Sequence, residues 1–247
     1  MSKEKIAVML DGGLGRVICA IPALQELAKT CDLTVVSGGW LAAYKGSGLK
    51  VIPMGLPNQA DLLAKHIIVK PEPYWELGYR DGTSNLVEAF FNALDINIPE
   101  GATNLPYNPD TRHIGVIARS PKPTLFFQPF GSGGGADPRS MTKQEIQDVI
   151  NKFSNSHSIF LIGTDEDLGY SKEVLTHVKD IQEAAFIRYV QKADMFVGCD
   201  SSGLHIRAAA GKEHLAYLAS TSGVKYYKTT SMHVREGFEG MRVNPRL

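Results

Sequence analysis

The sequence predicts an α/β protein made of two units in tandem, each built on a mostly parallel sheet. Three observations predict it. Short, wholly apolar runs alternate with segments of helical periodicity, the pattern of βαβ units. A stretch rich in Pro, Asn, Gly and Asp, residues 98–112, separates two such alternating blocks. In each block a small-residue turn joins a strand directly to a helix, at 11–15 and again at 200–203.

The first block opens with a buried strand at residues 6–10, apolar throughout. After the loop at 11–15 a helix begins near Arg16. Val17, Ala20, Ile21, Leu24, Leu27 and Ala28 keep helical spacing on one face, and Pro22 is expected to kink this helix or set its first turn. Further strands are expected at 33–37, 51–54 and 66–69, with short helical pieces at 40–44 and 59–65. Residues 71–81 interrupt the alternation with Tyr74, Trp75, Tyr79 and two prolines, a run suited to stacking on a sugar or base and equally to packing as a strap. Residues 84–94 read as a helix with Leu86, Phe90, Phe91 and Leu94 apolar. The stretch at 98–112 has no periodicity and reads as an inter-domain linker or a long surface strap.

In the second block, residues 124–130 form a strand that runs into the Gly-rich loop at 131–135. Thr142-Lys-Gln-Glu145 is a capping box, opening a helix that turns Ile146, Val149, Ile150 and Phe153 inward. A strand follows at 158–163, helices at 171–177 and 183–192, and strands at 195–198 and 215–219, the last clear one. A short helix is expected at 234–238.

Composition bounds the function classes. The 247 residues suffice for one large domain or two small ones. Hydrophobic residues are 43% and charged residues 21%, the ordinary balance of a soluble globular protein. Lys+Arg and Asp+Glu are both 26, so the net charge is zero; this leaves a nucleic-acid partner open without a basic patch to support one. Cys19, Cys31 and Cys199 are scattered and odd in number, which fits neither a metal site nor a disulfide framework and points to a reducing cytoplasm. The seven histidines also lack metal-site spacing. No secretory leader is expected, and no apolar run reaches the ~18 residues that a transmembrane helix needs.

Three segments carry candidate chemistry. The first is Phe196-Val-Gly-Cys-Asp-Ser-Ser-Gly-Leu-His205, where a strand reaches Asp200 and a helix opens at Gly203. First-turn N–H groups of a helix have no internal partner and carry partial positive charge, so they suit a phosphate. Ser201, Ser202 and Gly203 would let a pyrophosphate approach them. Ser202 reads equally as an N-cap, and His205 as a ligand donor or a satisfied core histidine; Arg207 is expected to face solvent. The second segment is Asp11-Gly-Gly-Leu-Gly-Arg16, whose glycines allow close backbone approach around Gly13. It has neither dinucleotide-fingerprint nor Walker spacing. The third is the loop from Gly131 and Ser132 to Arg139, a cation able to contact phosphate oxygens bidentately.

Together these segments resemble one family. Gly13-Leu-Gly-Arg-Val-Ile-Cys-Ala-Ile-Pro-Ala-Leu24 is similar to Gly-(Ile/Leu)-Gly-Asp-Val-(x)4-Pro-x-Leu. Gln128-Pro-Phe-Gly-Ser132 is similar to a Pro-Gly-(Ala/Ser)-Ser turn, and Arg139 stands where a Lys or Arg precedes a helix. Residues 193–211 are similar to Ala-Asp-x-x-(Val/Ile)-Gly-x-Asp-(Ser/Thr)-Gly-x-x-His-x-Ala-Ala-Ala-x-Gly. The resemblance is to glycosyltransferase family nine, the heptosyltransferase-like enzymes.

It implies the GT-B fold, two Rossmann-like domains facing a central cleft. Residues 1–110 would be an acceptor-binding domain and residues 111–247 a nucleotide-sugar-binding domain. It further implies a metal-independent, inverting transfer with no cofactor beyond the nucleoside-diphosphate sugar, which acts as cosubstrate. The acceptor would be a glycan, a lipid-linked sugar or another hydroxyl. Gly131, Ser132, Arg139, Asp200, Ser201, Ser202, Gly203 and His205 would line the donor side, with Gly13 beside the other loop. Two departures stand out. Arg16 occupies the position of the family's base, from which it would reach the donor phosphates across the cleft; Asp11 is the substitute base, with Glu72, Glu76 and Asp81 as further candidates. An extra residue also separates Asp200 from its glycine, although His205 keeps its register. A non-catalytic nucleotide-sugar-binding relative, or another nucleotide-binding enzyme such as an epimerase, stays open as an alternative.

Overall fold

The computed structural model describes residues 3–100, 102–115, 120–131, 134–163, 168–218, 225 and 227–234. The chain divides into two compact units. One runs to Asp110 and takes back a short stretch around Lys225; the other begins at Thr111.

Unit 1 contains β1 (Lys5–Leu10), α1 (Leu14–Thr30), β2 (Asp32–Ser37), β3 (Val51–Pro53), α2 (Gln59–Leu63), β4 (Ile67–Val69), α3 (Leu77–Asp81) and α4 (Leu86–Ala93), with 3-10 turns at Leu41–Tyr44 and Pro73–Trp75. Its sheet is wholly parallel in the order β3-β2-β1-β4. The order reverses between β1 and β4, which makes that gap the switch point where α/β sheets bind ligands. Residues Leu14 to Leu24 of α1 are buried on every side, not on one face alone, as befits a helix apolar all round. It packs against α4, whose Phe90 and Phe91 are fully buried. A capping box starts α4: the Asn85 side chain accepts from the Glu88 N–H, and Glu88 accepts from the Asn85 N–H.

Pro22 does not end α1. Its missing N–H leaves the Ile18 carbonyl without an intrahelical donor. The Tyr107 N–H takes that place at 2.9 Å. The Asp110 N–H and the Tyr107 hydroxyl both donate to the Lys45 carbonyl, at 2.9 and 3.0 Å. The Pro/Asn-rich segment is thus a strap laid on unit 1.

Unit 2 contains β5 (Thr124–Gln128), α5 (Lys143–Phe153), β6 (Ser158–Leu161), β7 (Leu175–His177), α6 (Glu183–Lys192), β8 (Met195–Cys199), α7 (Ser202–Ala209), β9 (His214–Leu218) and β10 (Thr230–Val234). All pairs are parallel, in the order β10-β9-β8-β5-β6-β7. This is a doubly wound, Rossmann-like sheet whose switch point lies between β5 and β8. The capping box at Thr142 and Glu145 forms, and α5 buries Ile146, Val149, Ile150 and Phe153 against Leu125, Phe127, Leu161 and Val197. The two tandem α/β units expected from sequence are therefore present.

Three local expectations are corrected. Residues 171–177 are not a helix: a turn at Ser171 leads into the strand β7, which exists because Leu175 pairs beside Ile159 of β6. The strand β9 is not the last, since β10 pairs with it in register from Thr230 to Val234; the rest of the helix expected at 234–238 lies outside the described residues. Arg207 does not face solvent. It is 2% exposed and donates to the carbonyls of Val190, Ala193 and Glu213.

His214 joins β9 to β10 and is buried. Its Nδ1 faces the Lys212 carbonyl at 3.1 Å and must donate, so Nε2 accepts from the Thr230 hydroxyl at 2.8 Å. That pattern requires the neutral ring. Burial, above all, pulls its pKa down to about 4. The unfolded ring titrates near about 6.5, so between those values the unfolded state binds the extra proton and stability falls as pH falls. Urea unfolding is expected to show a loss on the order of 3 kcal/mol from pH 6.5 to pH 4. His214→Gln should remove that part of the pH dependence; an unchanged dependence in the variant would assign it to other groups.

Candidate functional site

In unit 2 the carboxyl ends of β5 and β8 lie side by side, with Gln128 registered against Gly198. From β8 the chain passes through Asp200 into α7. Its N-cap, Ser201, is extended, and no side chain of its own caps the helix; the Ser201 hydroxyl donates back to the Cys199 carbonyl at 3.3 Å. The first turn has no acidic residue. One first-turn donor is occupied from the neighbouring strand: the Gly203 N–H donates to Gln128 Oε1 at 3.2 Å. Gly203 is therefore required by packing. A Cβ there would lie 2.6 Å from Gln128 Oε1 and overlap the Phe196 ring.

Arg139 reaches this corner from the loop after β5. Its Nε and Nη2 fork onto Asp137 at 3.0 and 2.6 Å, and its Nη1 points at the Asp200 carbonyl at 3.5 Å. The Asp137 carboxylate holds the guanidinium above its ordinary pKa, against the effect of burial. Asp137 also fills the space that a Gly131 side chain would need. The Gly131 N–H donates to the Ser140 hydroxyl, which in turn donates to the Gly134 carbonyl, so the described ends of the loop are tied together. Ser132 lies outside the described residues. His205 stands one turn into α7, its Nδ1 2.8 Å from the Tyr227 hydroxyl. Burial lowers the His205 pKa; Asp200 opposes that and Arg139 adds to it. Burial pushes the Cys199 thiol up to about 12, which leaves it no nucleophilic role near neutral pH.

In unit 1 the corresponding edge carries Asp11 after β1 and Lys70 after β4. Lys70 Nζ lies 3.6 Å from Asp11 Oδ2. The turn is held by Gly12, at φ 107°, and by the Trp40 indole N–H donating to the Gly12 carbonyl at 2.7 Å. Gly13 is the N-cap of α1, a helix that also starts without a side-chain cap or an acidic first turn. A Cβ on Gly13 would meet nothing within 4 Å.

The expectation that Arg16 reaches donor phosphates is corrected. Its side chain is 3% exposed and stands 4.0 Å from Asp11. Nη1 and Nη2 bind Glu72 at 3.1 and 3.5 Å, Nη2 binds the Pro71 carbonyl at 2.9 Å, and the guanidinium lies over the rings of Tyr74 and Phe90. Its donors are directed into unit 1. Of the other carboxylates, Asp81 accepts from the Thr83 N–H and hydroxyl in a local turn, and Glu76 is the N-cap residue of α3.

Sequence reasoning missed Gln128, Asp137, Tyr227 and Lys70 as parts of these sites. Gln128 and Lys70 are the last or following residues of strands, a position that signals a ligand edge once strand order is known. Asp137 is two residues from the Arg139 it pairs with. Tyr227 has no local signal.

Two doubly wound parallel sheets, each with a helix at its switch point that starts without a cap from its own N-cap side chain, define a two-unit, Rossmann-like α/β protein. No protein-family model and no curated protein matches the chain. Solved structures do. The dodecameric, iron-containing glycosyltransferase TibC from enterotoxigenic E. coli H10407 matches with a TM-score of 0.69 at 10% identity over 96% of this chain. The E. coli ADP-heptose lipopolysaccharide heptosyltransferase II matches with 0.66 at 13% over 93%, and the glycosyl transferase family 9 protein of Veillonella parvula DSM 2008 with 0.62 at 14% over 95%. This chain spans 64% of the TibC chain, 90% of the heptosyltransferase and 86% of the Veillonella protein. The fold is thus the GT-B fold of family-nine glycosyltransferases, in agreement with the resemblance read from the motifs.

The expectation of no cofactor is corrected by the same comparison, because the TibC structures, one of them in complex with ADP-D-β-D-heptose, are of an iron-containing protein. Among the described residues of this chain, no three of His, Cys, Asp and Glu converge as a metal-ligand set, so they do not fit an iron site. Among the described residues no helix is long and apolar enough to cross a membrane.

Proposed function

We propose that this protein is a glycosyltransferase that moves a sugar from a nucleoside-diphosphate sugar to an acceptor hydroxyl. The observation that carries this reading is the start of α7 at the switch point of unit 2, with no side-chain cap, no acid in its first turn and Arg139 beside Asp200. Residues 111–247 bind the donor and residues 1–110 the acceptor. Gly131, Arg139, Asp200, Ser201, Ser202, Gly203 and His205 bind the donor at its diphosphate, with Ser132, outside the described residues, assigned to the same set by the motif alone. TibC, of the same fold, is known in complex with ADP-D-β-D-heptose, which makes ADP-sugars the first donors to test.

Asp11 is the base. Glu72 is engaged by Arg16 at 3.1 Å, whereas the ion pairs of Asp11 are longer, at 3.6 and 4.0 Å. Asp11 takes the acceptor's hydroxyl proton as that oxygen bonds to the anomeric carbon. The bond from that carbon to the diphosphate oxygen breaks, the configuration inverts, and the nucleoside diphosphate leaves with the electron pair. The α7 amides and Arg139 stabilise the charge that develops on it. The acceptor is a glycan, a lipid-linked sugar or another hydroxyl compound. The three free, buried cysteines support a cytoplasmic setting.

A thermal-shift panel of ADP-, UDP- and GDP-sugars, followed by turnover assays, tests this. A donor at about 100 times its Kd should stabilise the protein by about 2.7 kcal/mol. Asp11→Asn should keep donor binding and lose about 100-fold or more of turnover. Failure of every nucleoside diphosphate to bind would overturn the donor site. Donor binding without turnover in the wild type would establish a non-catalytic binding protein, the reading favoured by Arg16 in place of the family's base.

A further inference from the structure

Arg16 is the least accessible charged side chain at the acceptor edge, and its surroundings show what it does. A buried guanidinium cation needs carboxylate or carbonyl partners on its N–H groups. Arg16 has the Glu72 carboxylate on Nη1 and Nη2, the Pro71 carbonyl on Nη2, and Asp11 at 4.0 Å from the same Nη2. The Tyr74 ring lies 5.1 Å and the Phe90 ring 5.8 Å from its central carbon. These contacts join α1 and α4 to the 3-10 turn at Pro73–Trp75, the segment that follows β4. Glu72 itself is 37% exposed. Both oxygens of this carboxylate face a buried cation, the side chain stays partly open to solvent, and Asp11 lies near the same guanidinium nitrogen.

We propose that Arg16 is a positioning residue that presents Glu72 as a second acceptor-binding carboxylate beside Asp11. The inference rests on the transferase reading above and deepens it by naming the acceptor class. With Asp11 taking the proton of the reacting hydroxyl, Glu72 accepts a hydrogen bond from a neighbouring hydroxyl. Two carboxylates within 4.0 Å of one guanidinium nitrogen, Glu72 hydrogen-bonded to it and Asp11 at ion-pair distance, suit a molecule with adjacent hydroxyls, and they disfavour an acceptor whose own carboxylate or phosphate would lie between them. Arg16 is too buried to touch that molecule; it acts through Glu72.

The test uses the full chain with whichever of the ADP-, UDP- or GDP-sugars it turns over. Sugar transfer to methyl mannoside, which has neighbouring hydroxyls, is compared with transfer to cyclohexanol, which has one, and with hydrolysis. The wild type should prefer the diol. Glu72→Gln and Arg16→Lys should each lose about 10-fold of that preference, in keeping with the loss of one charged hydrogen bond. Donor Kd should not change, and the double variant should be no worse than Arg16→Lys alone. Glu72→Gln keeps an oxygen for Arg16 at a partly exposed position, so it keeps the test meaningful if Arg16→Lys fails to fold. A wild type without diol preference, or a Glu72→Gln variant that melts lower yet keeps its preference, would overturn the inference and leave the transferase reading standing. Absence of donor turnover would overturn both.

Discussion

Gly203→Ala is expected to lower the melting temperature by roughly 4–12 °C and, on the proposed transferase reading, to abolish binding of the nucleotide-sugar donor. The added methyl carbon would lie 2.6 Å from Gln128 Oε1 and inside the Phe196 ring. Neither neighbour has room to move, since Phe196 is 0% and Gln128 6% exposed. Overpacking of this kind costs about 1–3 kcal/mol, occasionally more, and each kcal/mol shifts the melting temperature of a domain this size by about 4 °C. The displaced Gln128 would also release the Gly203 N–H, so the first turn of α7 would lose both its position and its tertiary cap. Gly13→Ala is the control. Its Cβ meets nothing within 4 Å and its φ of −76° suits any residue, so stability should change by less than about 0.5 kcal/mol. Melting curves and titration of the donor check both. A Gly203→Ala protein that melts like the wild type would show that β8 and α7 can separate without cost.

Arg207→Met should destabilise unit 2 by about 3 kcal/mol, because each buried acceptor left without a donor costs about 1–3 kcal/mol. Arg207 Nη1 holds the Val190 and Ala193 carbonyls at 3.2 and 2.9 Å, at the end of α6 where helix carbonyls lack internal partners. Its Nη2 holds the Glu213 carbonyl at 2.9 Å, in the turn before β9. One side chain thus ties α6, α7 and β9 together. Burial pulls its pKa down to about 10, still high enough to keep it charged at neutral pH, and the partial negative charge of the α6 terminus stabilises that charge. Urea unfolding should show a lower midpoint with the same slope. Arg207→Lys should recover part of the loss, as a point charge without the planar fork. A methionine variant within 1 kcal/mol of the wild type would mean that water reaches these carbonyls.

Much of this was legible in local sequence, and the reasons are local. The Thr142 to Glu145 capping box forms because both partners lie within one helical turn. The strands at 6–10 and 195–198 are apolar throughout because parallel strands are covered on both faces. The strand–turn–helix start at Asp200 is set by the chain itself. Where tertiary pairing decides, the reading failed. Residues 175–177 have no strand pattern of their own and become β7 only beside β6. Thr230–Val234 becomes β10 only beside β9. A cation in a helix reads as solvent-facing unless its acceptors are known, and those of Arg207 come from two other elements.

By itself, then, the amino-acid order determined the alternation of strands and helices, the two helix starts, the Gly-rich turns and the GT-B expectation, since each depends on residues within a few positions of one another. Tertiary structure decided which cations are buried and which stay accessible. Arg16 and Arg139 are both cations beside glycine-rich turns. Arg139 is held by Asp137, two residues away, and stays partly exposed, with its Nη1 at the Asp200 carbonyl. Arg16 has its carboxylate partner in Glu72, 56 residues away, and is buried. The direction of a long side chain is set by where its counter-charges and carbonyls lie in space, and for Arg16 it is strand order, not chain order, that brings those together.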